Sequence, residues 1–361
     1  MIVFAHLLND RSGSPRVLLS VMGALKGVDP DHLLYLGEGG DGFLGEAVPG
    51  ARRYPYRRHS RRWATLWAYL GSQWSLLRLL RKARDIDTDA VIYVNTLLPF
   101  AAAMFGRLTG RRVVCHLHEA SMRPRLLQWF LLRTALWSAD RVICVSDFQK
   151  QALGVAGALV VPNAVEPDLY TNGLRHGYTA RRGAVFRVCM LCSLRDYKGV
   201  PELLRLAHQL ADRPDIEFEL VVSDEAPAVS AYFADLDRPA NLVLTQGLTD
   251  ASIAYARASV VVNLSRVDLC EETFGLTLLE AMAFGIPVIA PPVGGPAELV
   301  QHGVQGYLVD SRNADALRQS VLALAGDEAL CMQMSHAGRA VARRLSPDAF
   351  QAAIRRAVLV P

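Results

Sequence analysis

Short apolar runs alternate with helical patterns along the whole chain, which is typical of parallel α/β domains. In the first half, the runs that predict strands are Ile2–Leu8, His32–Leu36, Ala90–Asn95, Val113–Leu117 and Arg141–Val145, with Leu159–Val161 as a sixth candidate. In the second half, they are Val188–Leu191, Glu217–Val222, Leu242–Thr245, Val260–Leu264 and Val288–Ala290. Helical patterns stand between the strands, most clearly over Trp63–Lys82 and Leu126–Ser138. The pattern therefore predicts two successive strand–helix sheets.

The stretch Glu166–Phe186 divides the two halves, because it contains several turn-forming residues and has little apolar periodicity. We expect an N-terminal Rossmann-like domain at 1–166, a linker at 167–186, a C-terminal Rossmann-like domain at 187–346, and a final helix within 347–361 that could pack back on the N-terminal domain. A length of 361 residues agrees with two domains, since it is long for a single core. Open α/β sheets bind ligands at the carboxyl ends of their strands, so the expected ligand site is a cleft between the two halves.

The composition excludes several classes of protein. With 51% hydrophobic residues and modest charge, the chain is globular rather than disordered. A net charge of +4 is too small to imply nucleic-acid binding, and we expect no nucleic-acid partner. The start Met1–Asn9 lacks the basic residues of a signal peptide, and no window reaches the roughly 18 apolar residues needed to span a bilayer. We therefore expect a cytoplasmic protein.

The six cysteines are scattered, mostly within apolar strand-like runs, and nothing in their spacing indicates a disulfide framework. Cys189 and Cys192 have a Cys-x-x-Cys spacing that invites a metal interpretation. They lie in or beside a predicted strand, however, and no second Cys/His pair completes a tetrahedral site. We therefore expect buried structural thiols and no metal site.

The densest chemical signal is the run 271–288, which reads EETFGLTLLEAMAFGIPV. It predicts a loop after a strand and then a helix that starts near Phe274. Gly275 at that start permits a ligand to approach free backbone N–H groups, which together with the helix dipole favour an anion such as a diphosphate. Glu272 precedes the helix and Glu280 lies within it, so two carboxylates can hold two parts of one elongated ligand. The alternative is a solvated helix start with a salt-bridged glutamate inside the helix.

This run resembles the Glu-x7-Glu signature of retaining glycosyltransferases of the GT-B fold, and of glycosyltransferase family 4 in particular. Further matches to the family's motifs follow in order along the chain, at His118-Glu119, Val161–Val165, Tyr197–Gly199, Val293–Glu298 and Gly303–Val309. They resemble, in turn, a His-Asp/Glu pair, a Val-Pro-Asn-Gly-Val run, a Lys-Gly pair, a Gly-Gly-x-x-Glu run and a Gly-x-x-Gly-x-Leu-Val run. One such motif alone would be weak, but several in order with sensible spacing are specific.

The resemblance implies a GT-B architecture, in which two Rossmann-like β/α/β domains face each other across a deep cleft. The N-terminal domain then binds the acceptor, and the C-terminal domain binds a nucleotide-diphosphate sugar, with no other cofactor and no metal. By resemblance, Glu280 binds the ribose hydroxyls of the donor nucleotide, and Glu272 holds hydroxyls of the transferred sugar. Backbone N–H groups of Phe274, Gly275 and Leu276 contact the sugar and the diphosphate.

Lys198 and His118 complete the expected catalytic group with Glu272. Lys198 is the counter-charge for the diphosphate leaving group, so it acts mainly in the transition state. By resemblance, His118 lines the sugar pocket from the first domain and positions the sugar. The family retains anomeric configuration, and we expect a front-face displacement in which the leaving diphosphate takes the acceptor proton. The simpler interpretations are a surface lysine in a turn and a core histidine after a strand.

One departure from the family lies near Lys198. The family has a Gly-Arg pair in this loop, with the arginine also holding the diphosphate, where this chain has Cys192 and Ser193. Arg195 stands two positions later and could take its place, or Arg266 could reach in from the neighbouring loop. The sequence leaves both cations open.

A second departure lies in the loop Asn9–Pro15 after the first strand. Many relatives have a Gly-Gly pair here that faces the diphosphate and the acceptor, and this chain has only Gly13. Pro15 suits the first turn of a helix, and Ser14 could cap it. We keep Gly13 as a candidate donor contact.

The stretch Arg52–Trp74 concerns the acceptor. Six arginines fall within Arg52–Arg62, and the helix that follows carries Trp63, Trp67 and Trp74. Basic residues beside interfacial aromatics suit an anionic membrane surface, whereas the alternative is a solvated arginine face and a core helix. The first interpretation implies a peripheral protein on the cytoplasmic face of a membrane. The family's common uses then indicate a glycan or lipid-linked acceptor in bacterial surface-polysaccharide or glycolipid assembly.

Two other functions stay open. A nucleotide-sugar 2-epimerase has the same architecture, but the run around Glu272 and Glu280 resembles the transferase more closely. A non-catalytic, glycosyltransferase-like binding subunit is favoured by the missing Gly-Arg pair. The presence of Glu272, Glu280 and Lys198 argues against it.

Overall fold

The computed structural model describes residues 1–27, 31–40, 42–248 and 250–360. The chain divides into two compact units. Unit 1 comprises Met1–Pro162 and Asp348–Pro361, and unit 2 comprises Asn163–Pro347. Each unit is a parallel sheet with helices, as the alternation of apolar runs predicts.

The sheet of unit 1 contains seven strands within the described residues: β1 Ile2–His6, β2 His32–Gly37, β3 Arg52–Tyr54, β4 Val91–Asn95, β5 Val113–His116, β6 Arg141–Cys144 and β7 Leu159–Val160. Their order is β3-β2-β1-β4-β5-β6-β7, and every neighbouring pair is parallel. All residues of β1 are buried, because parallel sheets are covered on both faces.

The helices of unit 1 that connect these strands are α1 Gly13–Lys26, α2 Phe43–Ala47, α3 Arg62–Lys82, α4 Phe100–Leu108, α5 Arg125–Ser138 and α6 Asp147–Ala152. Three of them, α3, α4 and α5, lie on one face of the sheet, because successive right-handed crossovers step in the same direction. Both α3 and α5 pack against α4. The ring of Phe100 on α4 contacts the rings of Tyr69 on α3 and Phe130 on α5.

The sheet of unit 2 contains six strands within the described residues: β8 Phe186–Cys192, β9 Ile216–Val222, β10 Leu242–Gln246, β11 Val260–Val262, β12 Val288–Ala290 and β13 Gly306–Leu308. Their order is β10-β9-β8-β11-β12-β13, again all parallel. The helices are α7 Pro167–Arg175, α8 Val200–Gln209, α9 Ala226–Tyr232, α10 Ser252–Arg257, α11 Leu276–Ala283, α12 Pro296–Leu299, α13 Ala314–Gly326 and α14 Glu328–Arg344. A 3-10 turn, Asp196–Lys198, precedes α8. In the part of the chain that is described, no helix is long and apolar enough to cross a membrane.

Each predicted strand coincides with an observed one, and the structure adds β3 and β13. Two of the three residues of β3 are arginines, and a short edge strand needs only one buried side chain, which is Tyr54. β13 is also short and starts with Gly306, where a Cβ would lie 1.8 Å from the carbonyl oxygen of Val288. Glycine therefore permits β13 to lie against β12, although it weakens the strand signal in the sequence.

The predicted linker 167–186 differs from the structure, because its first part is α7 and unit 2 already starts at Asn163. The side chain of Glu166 caps α7 by accepting a hydrogen bond from the backbone N–H of Leu169 at 3.0 Å. α7 packs closely on α11, where a Cβ on Gly173 would lie 2.8 Å from Phe284 Cδ2. Only Leu169 and Gly173 of this nine-residue helix are buried, so it contains too few apolar residues to be predicted from the sequence.

The final helix, α15 Pro347–Leu359, packs on unit 1 from Asp348 onward. Arg355 Nε donates to the carbonyl oxygen of Ala24 on α1 at 2.8 Å. Arg112, at the start of β5, donates to the carbonyl oxygen of Ala357 at 3.4 Å. The last helix in the chain therefore closes the fold of the first unit.

Candidate active site

The N-terminus of α11 has the features of an anion-binding site. Gly275 is its N-cap residue, in the left-handed region with φ +97°, and no side chain caps the helix. The helix therefore starts at Leu276, two residues after the predicted start near Phe274. Among the described residues, no acceptor is recorded for the backbone N–H groups of Phe274, Gly275 and Leu276. These groups and the positive end of the helix dipole can bind an anionic ligand.

The loop before α11 is held by the glycine pair that follows β12. A Cβ on Gly294 would lie 2.5 Å from the carbonyl oxygen of Glu272, and one on Gly295 would lie 2.2 Å from that of Thr273. The backbone N–H of Gly295 donates to the carbonyl oxygen of Glu272 at 2.8 Å. The Gly-Gly motif of the sequence therefore fixes the backbone around Glu272, since any larger residue would clash with that loop.

Lys198 and Glu272 form an ion pair, with 2.7 Å between Nζ and Oε1. The hydroxyl of Ser265 donates to the same Oε1 atom at 2.6 Å. The two side chains are only 27% and 14% exposed. Burial alone would favour the neutral form of each group. Their mutual attraction is stronger, so the pKa of Lys198 is raised and that of Glu272 is lowered. Both groups are therefore charged at neutral pH.

Close packing at Gly199 brings Lys198 to this position. Gly199 has φ +87°, and a Cβ there would lie 2.1 Å from the carbonyl oxygen of Leu264. The backbone N–H of Arg266 also donates to the carbonyl oxygen of Tyr197 at 2.8 Å. The loops after β8 and β11 touch because these strands are neighbours in the sheet. Residues 74 positions apart in the sequence thereby become partners.

Glu280 lies in α11 and is buried. The hydroxyl of Tyr255, on α10, donates to its Oε2 atom at 2.5 Å. The ring of Tyr255 packs on Phe284, with 5.3 Å between the centroids. Tyr255 therefore orients the second carboxylate, and the sequence offered no signal for this role because α10 has no matched motif.

The two candidate arginines are both engaged by carboxylates. Arg195 donates to Asp224 at 3.2 Å, and its side chain is largely exposed. Arg266 donates to Glu202 at 3.0 Å and to Asp268 at 2.8 Å. Among the described residues, the cation recorded in contact with the carboxylate of Glu272 is Lys198. Whether Arg195 or Arg266 takes the place of the family's missing arginine stays a prediction.

The thiol of Cys192 ends β8 at the place of the missing glycine. Burial raises its pKa to about 12, so it is neutral and offers no charge to a phosphate. Cys189 is buried earlier in the same strand, and both are free thiols. No group of three or more His, Cys, Asp or Glu side chains in the described part of the chain is arranged to hold a metal ion. The expected independence from metal stays a prediction.

His118 lies in unit 1, directly after β5. Its Nε2 atom lies 2.9 Å from the side-chain oxygen of Asn95, the last residue of β4. The amide nitrogen of Asn95 donates to the carbonyl oxygen of Ser14 at 3.1 Å. Burial, with smaller contributions from His116 and His6, lowers the pKa of His118 well below its usual value. His118 is therefore neutral at pH 7 and can donate from Nε2.

Two further histidines lie next to Asn95, and neither was predicted from the sequence: His6 contacts its side chain, and His116 is its partner in the register of β4 and β5. His6 Nδ1 lies 3.1 Å from Asn95 Nδ2, and His116 Nδ1 lies 2.6 Å from the hydroxyl of Tyr93. The ring of His116 lies 4.3 Å from that of His118. Burial lowers the pKa of His6 to about 4 and that of His116 to about 3. Their position at the carboxyl ends of β1 and β5 was a usable signal, because ligands approach parallel sheets at that edge.

The backbone next to this cluster is strained at Thr96. Its φ of +74° is the sole positive value recorded for a non-glycine residue in the described ranges, and a β-branched side chain makes it more unusual. Its N–H donates to the carbonyl oxygen of His116 at 2.8 Å. The carboxylate of Glu119 accepts hydrogen bonds from the N–H groups of Leu97 and His118 at 3.4 and 3.2 Å. Strain of this kind is typical of functional sites, since surrounding structure must hold it in place.

Gly13 is the first residue of α1. The N-cap residue is Ser12, which donates to Asp10 at 2.5 Å, so the predicted cap at Ser14 is wrong. A Cβ on Gly13 would meet nothing within 4 Å, so local packing does not require glycine there. The carbonyl oxygen of Ser14 is the group that Asn95 contacts. The loop is therefore tied to the histidine cluster in unit 1, while both glutamates and the lysine lie in unit 2.

Two family models match the two halves of the chain. Residues 12–169 match the model of Glycosyltransferase Family 4, and residues 180–341 match that of glycosyl transferases group 1. The first match lies in unit 1 with the start of unit 2, and the second lies within unit 2.

Curated relatives are distant. An exopolysaccharide phosphotransferase of Streptomyces coelicolor is 28% identical over 293 residues, which are 75% of this chain and 28% of that protein. A GDP-mannose-dependent alpha-(1-6)-phosphatidylinositol monomannoside mannosyltransferase of Mycolicibacterium smegmatis is 28% identical over 287 residues, which are 73% of this chain and 74% of that protein. The chain thus spans about a quarter of the first relative and about three quarters of the second.

The whole chain also has similar solved structures. The crystal structure of the HepE protein of Anabaena in complex with UDP and glucose has a TM-score of 0.77, at 21% sequence identity. The match covers 100% of this chain and 99% of that one. At this identity, the likeness concerns the fold.

Proposed function

The chain is a glycosyltransferase of the GT-B fold, and we propose that it transfers a hexose-type sugar from a nucleotide-diphosphate donor to a glycan or lipid-linked acceptor. The observation that carries the proposal is the Lys198–Glu272 ion pair beside the N-terminus of α11. An ammonium, a carboxylate and three N–H groups without a recorded acceptor meet there, which suits a ligand with both hydroxyls and phosphates.

The donor is proposed to lie along α11. Its diphosphate contacts the N–H groups of Phe274, Gly275 and Leu276, and its ribose hydroxyls bind Glu280. Glu272 accepts hydrogen bonds from hydroxyls of the transferred sugar. Support comes from the burial of both carboxylates in unit 2 and from the solved neighbour, whose crystals contain UDP and glucose. A GDP-mannose-dependent relative supports the same class of donor.

We propose a retaining, front-face displacement. The bond between the anomeric carbon and the diphosphate oxygen breaks, and the acceptor oxygen attacks from the same face. The acceptor proton passes to the departing diphosphate oxygen. Negative charge grows on the diphosphate as the bond breaks, so Lys198 and the N-terminus of α11 stabilise the transition state more than the ground state.

Unit 1 is proposed to hold the acceptor and to contribute His118. The imidazole is neutral, and its Nε2 is tied to Asn95, so it is suited to positioning a sugar rather than to carrying charge. Gly13 leaves open space beside the start of α1 for a ligand. We keep the proposed acceptor class, glycans or lipid-linked sugars of bacterial surface-polysaccharide or glycolipid assembly. The stretch Arg52–Trp74 is proposed to contact an anionic membrane surface at the cytoplasmic face.

Thermal stabilisation by nucleotide sugars tests the donor site. Purified protein is heated with UDP, GDP, dTDP and ADP sugars, with and without a divalent ion chelator. Selective binding raises the melting temperature, because a ligand that binds only the folded state stabilises it. No stabilisation by any of the four classes would contradict the donor proposal.

The variant Glu272→Gln tests the catalytic role of the pair. The amide keeps a hydrogen-bond acceptor for Ser265 but removes the charge that faces Lys198. We expect nucleotide binding to persist and sugar transfer to fall about a hundredfold or more, which corresponds to roughly 3 kcal/mol. The matched control is Glu271→Gln, the exposed neighbouring carboxylate, which should keep normal activity. Equal activity of the two variants would remove Glu272 from the mechanism.

The anomeric configuration of the product tests retention. Proton NMR of the transfer product distinguishes α from β linkages, because a glycosidic bond does not mutarotate. A product with the configuration of the donor supports the front-face reaction, and an inverted product would end it. Conversion of the donor to its 2-epimer without transfer would instead favour the epimerase.

A further inference from the structure

The distribution of tryptophan in this chain is unusual. All five tryptophans lie on α3 and α5 of unit 1, and each is between 52% and 68% exposed. Tryptophan is a residue that folded proteins normally keep largely buried. The remaining large exposed apolar residues on these helices include Leu66, Leu70, Leu126, Phe130 and Leu136. A cluster of exposed apolar side chains of this kind is typical of an interaction surface.

The exposed residues form one stripe on each helix. On α3, the spacing of three and four positions puts the residues on the side away from the core, at Trp63, Leu66, Trp67, Leu70 and Trp74. On α5, the same spacing applies to Leu126, Trp129, Phe130, Arg133 and Trp137. We call these two stripes together the aromatic face. The buried residues Tyr69, Leu76 and Leu80 lie on the opposite side of α3, so this helix is apolar both toward the core and toward solvent.

The two stripes belong to one layer of the fold. Both helices pack against α4 on the same face of the sheet. At one end of the layer, the ring of Phe100 on α4 lies between Tyr69 of α3 and Phe130 of α5, at 6.1 and 5.3 Å. From the sequence, Leu126–Ser138 was predicted only as a helix, and no surface was assigned to it. The surface is therefore larger than the predicted stretch Arg52–Trp74.

The charge of this layer has one sign. Residues 47–84 contain ten arginine and lysine residues and no aspartate or glutamate, and residues 120–139 contain three arginines and again no acid. Arg52 pairs with Asp85, and Arg78 lies over the ring of Trp74 at 4.9 Å. In the described part of the chain, no ion pair is recorded for Arg57, Arg58 or Arg61. A protein partner would have to supply many carboxylates to match this surface, whereas the phosphates of an anionic bilayer present negative charge continuously.

We propose that the aromatic face docks unit 1 onto an anionic lipid bilayer, with the indole rings of α3 and α5 at the level of the headgroups and the arginines on the lipid phosphates. Amphipathic rings favour that depth, because one edge is apolar and the N–H can donate to water or lipid oxygens. The biological reason for docking rests on the proposed function, because the bilayer would be the source of a lipid-linked acceptor. Binding itself depends only on the surface and can be measured without donor or acceptor.

Intrinsic fluorescence gives a direct test, because every tryptophan of the chain is on the aromatic face. Vesicles of phosphatidylcholine with about 30% of the anionic lipid phosphatidylglycerol are added to the whole protein. We expect the emission to shift to the blue and to be quenched by lipids brominated near the headgroup. Neutral phosphatidylcholine vesicles should give a much smaller change. Unchanged emission with both kinds of vesicle would overturn the proposal.

Flotation of variants assigns the binding to both helices. Trp129→Ala/Trp137→Ala on α5 should weaken vesicle binding about tenfold or more, a loss that a surface confined to α3 does not explain. The matched control is Ile253→Ala, another exposed large apolar residue, on α10 of unit 2. Arg57→Glu/Arg58→Glu should also weaken binding, against the charge-matched control Arg205→Glu/Arg318→Glu in unit 2. Full binding by the α5 variant would overturn the two-helix surface.

The remaining outcomes separate this proposal from its rivals. If the aromatic face joined two copies of the chain, light scattering would show a dimer that Trp129→Ala/Trp137→Ala dissociates, without vesicle binding by either protein, and the proposal would fall. If docking holds, the α5 variant should keep donor binding and lose transfer only with acceptors embedded in vesicles. Glu272→Gln should float like the unchanged protein although its transfer is lost. A failure of the donor site and a failure of the docking surface therefore give different results.

Discussion

At the scale of single residues, Asn95 holds the imidazole of His118 in its orientation. It accepts a hydrogen bond from Nε2 of His118 and donates to the backbone of Ser14, so it joins two loops of unit 1. The pairing of Nε2 with a carbonyl oxygen fixes one tautomer, which leaves Nδ1 without a proton. Asn95 is therefore a positioning residue for the histidine.

The variant Asn95→Ala should lower the rate of transfer by up to about a hundredfold, because a displaced imidazole no longer meets the sugar in the required geometry. The proposed donor site lies in unit 2, so the stabilisation by nucleotide should not change. Steady-state kinetics with saturating donor measures the effect on kcat. An unchanged kcat would show that the imidazole needs no partner.

A pH profile separates positioning from simple loss of packing. In Asn95→Asp, a carboxylate faces His118 and favours its protonated form, so the pKa of the histidine rises from its lowered value. The neutral form that the proposed role requires is then lost as the pH falls, and the acid limb of the kcat profile moves to higher pH. A purely structural role for Asn95 predicts a lower rate with an unmoved profile.

The sequence could predict the candidate site residues that belong to motifs. It could not predict those that become neighbours only because two strands pair in a particular register. Glu272, Glu280 and Lys198 stand in recognisable runs, and the structure joins the first and the last of them. Asn95 and His116 come from strands with no such motif, and they are neighbours only because the register of β4 and β5 pairs them. Contacts of this kind depend on tertiary pairing, which local spacing does not encode.

At the scale of elements, glycines decide how closely the loops of unit 2 can approach. Gly199 shows this most clearly, because its φ is +87° and a Cβ would lie 2.1 Å from the carbonyl oxygen of Leu264. The 3-10 turn that carries Lys198 is therefore held against the end of β11 by the lack of a side chain. The Lys-Gly motif thus combines a chemical group with the residue that permits its placement.

The variant Gly199→Ala should destabilise unit 2 by about 2 kcal/mol or more, since the left-handed conformation alone costs an alanine roughly 1–2 kcal/mol and the clash adds to it. For a unit of this size, we expect the melting temperature to fall by roughly 4–8 °C, measured by calorimetry. Stabilisation by nucleotide should weaken as well, because Lys198 moves with the turn. The control is Gly326→Ala at the end of α13, where a Cβ meets nothing within 4 Å and stability should be unchanged or slightly higher. Equal melting temperatures for the two variants would refute the close-packing argument.

Elements with strong periodicity were predicted from the sequence, and short or polar elements were not. The long apolar runs gave β1, β4 and β8 because buried parallel strands need continuous apolar residues. α7 was read as part of a linker because only Leu169 and Gly173 of that helix are buried. β3 was missed because an edge strand tolerates arginines. The weak elements are therefore defined by their neighbours rather than by their own sequence.

At the scale of the whole molecule, the two units differ in the ionisable groups that they bury. Unit 1 buries His6 and His116, and one ring nitrogen of each has no partner recorded among the described residues. Unit 2 holds the Lys198–Glu272 pair. The pKa of its His176 is also lowered by burial, but this side chain is only partly buried. The units should therefore respond differently to acid.

The direction of the effect follows from the pKa values. His6 and His116 titrate near 6.5 when unfolded but near 4 and near 3 when folded, because burial favours the neutral ring. Between these values the unfolded chain binds more protons, so the stability of unit 1 falls as the pH drops below 6.5. At pH 5 each ring costs about 2 kcal/mol. The pKa of Glu119 is raised and opposes this in part, whereas Glu272 has a lowered pKa and destabilises unit 2 only below its usual value near 4.5.

Unit 1 should therefore unfold before unit 2 on acidification, and the variant His116→Phe isolates one source of the effect. Near-ultraviolet circular dichroism of the tryptophans follows unit 1 alone, since all five lie there, while the far-ultraviolet signal follows both units. At pH 7.5 the variant should be less stable than the unchanged protein, because the hydroxyl of Tyr93 loses its partner. Between pH 7.5 and pH 5 it should lose about 2 kcal/mol less of its free energy of unfolding, measured by urea titration at both pH values. If both proteins lost the same amount, the acid sensitivity would not come from His116. If the tryptophan and far-ultraviolet transitions coincided at pH 5, the two units would share their response to acid, against the division of buried histidines described above.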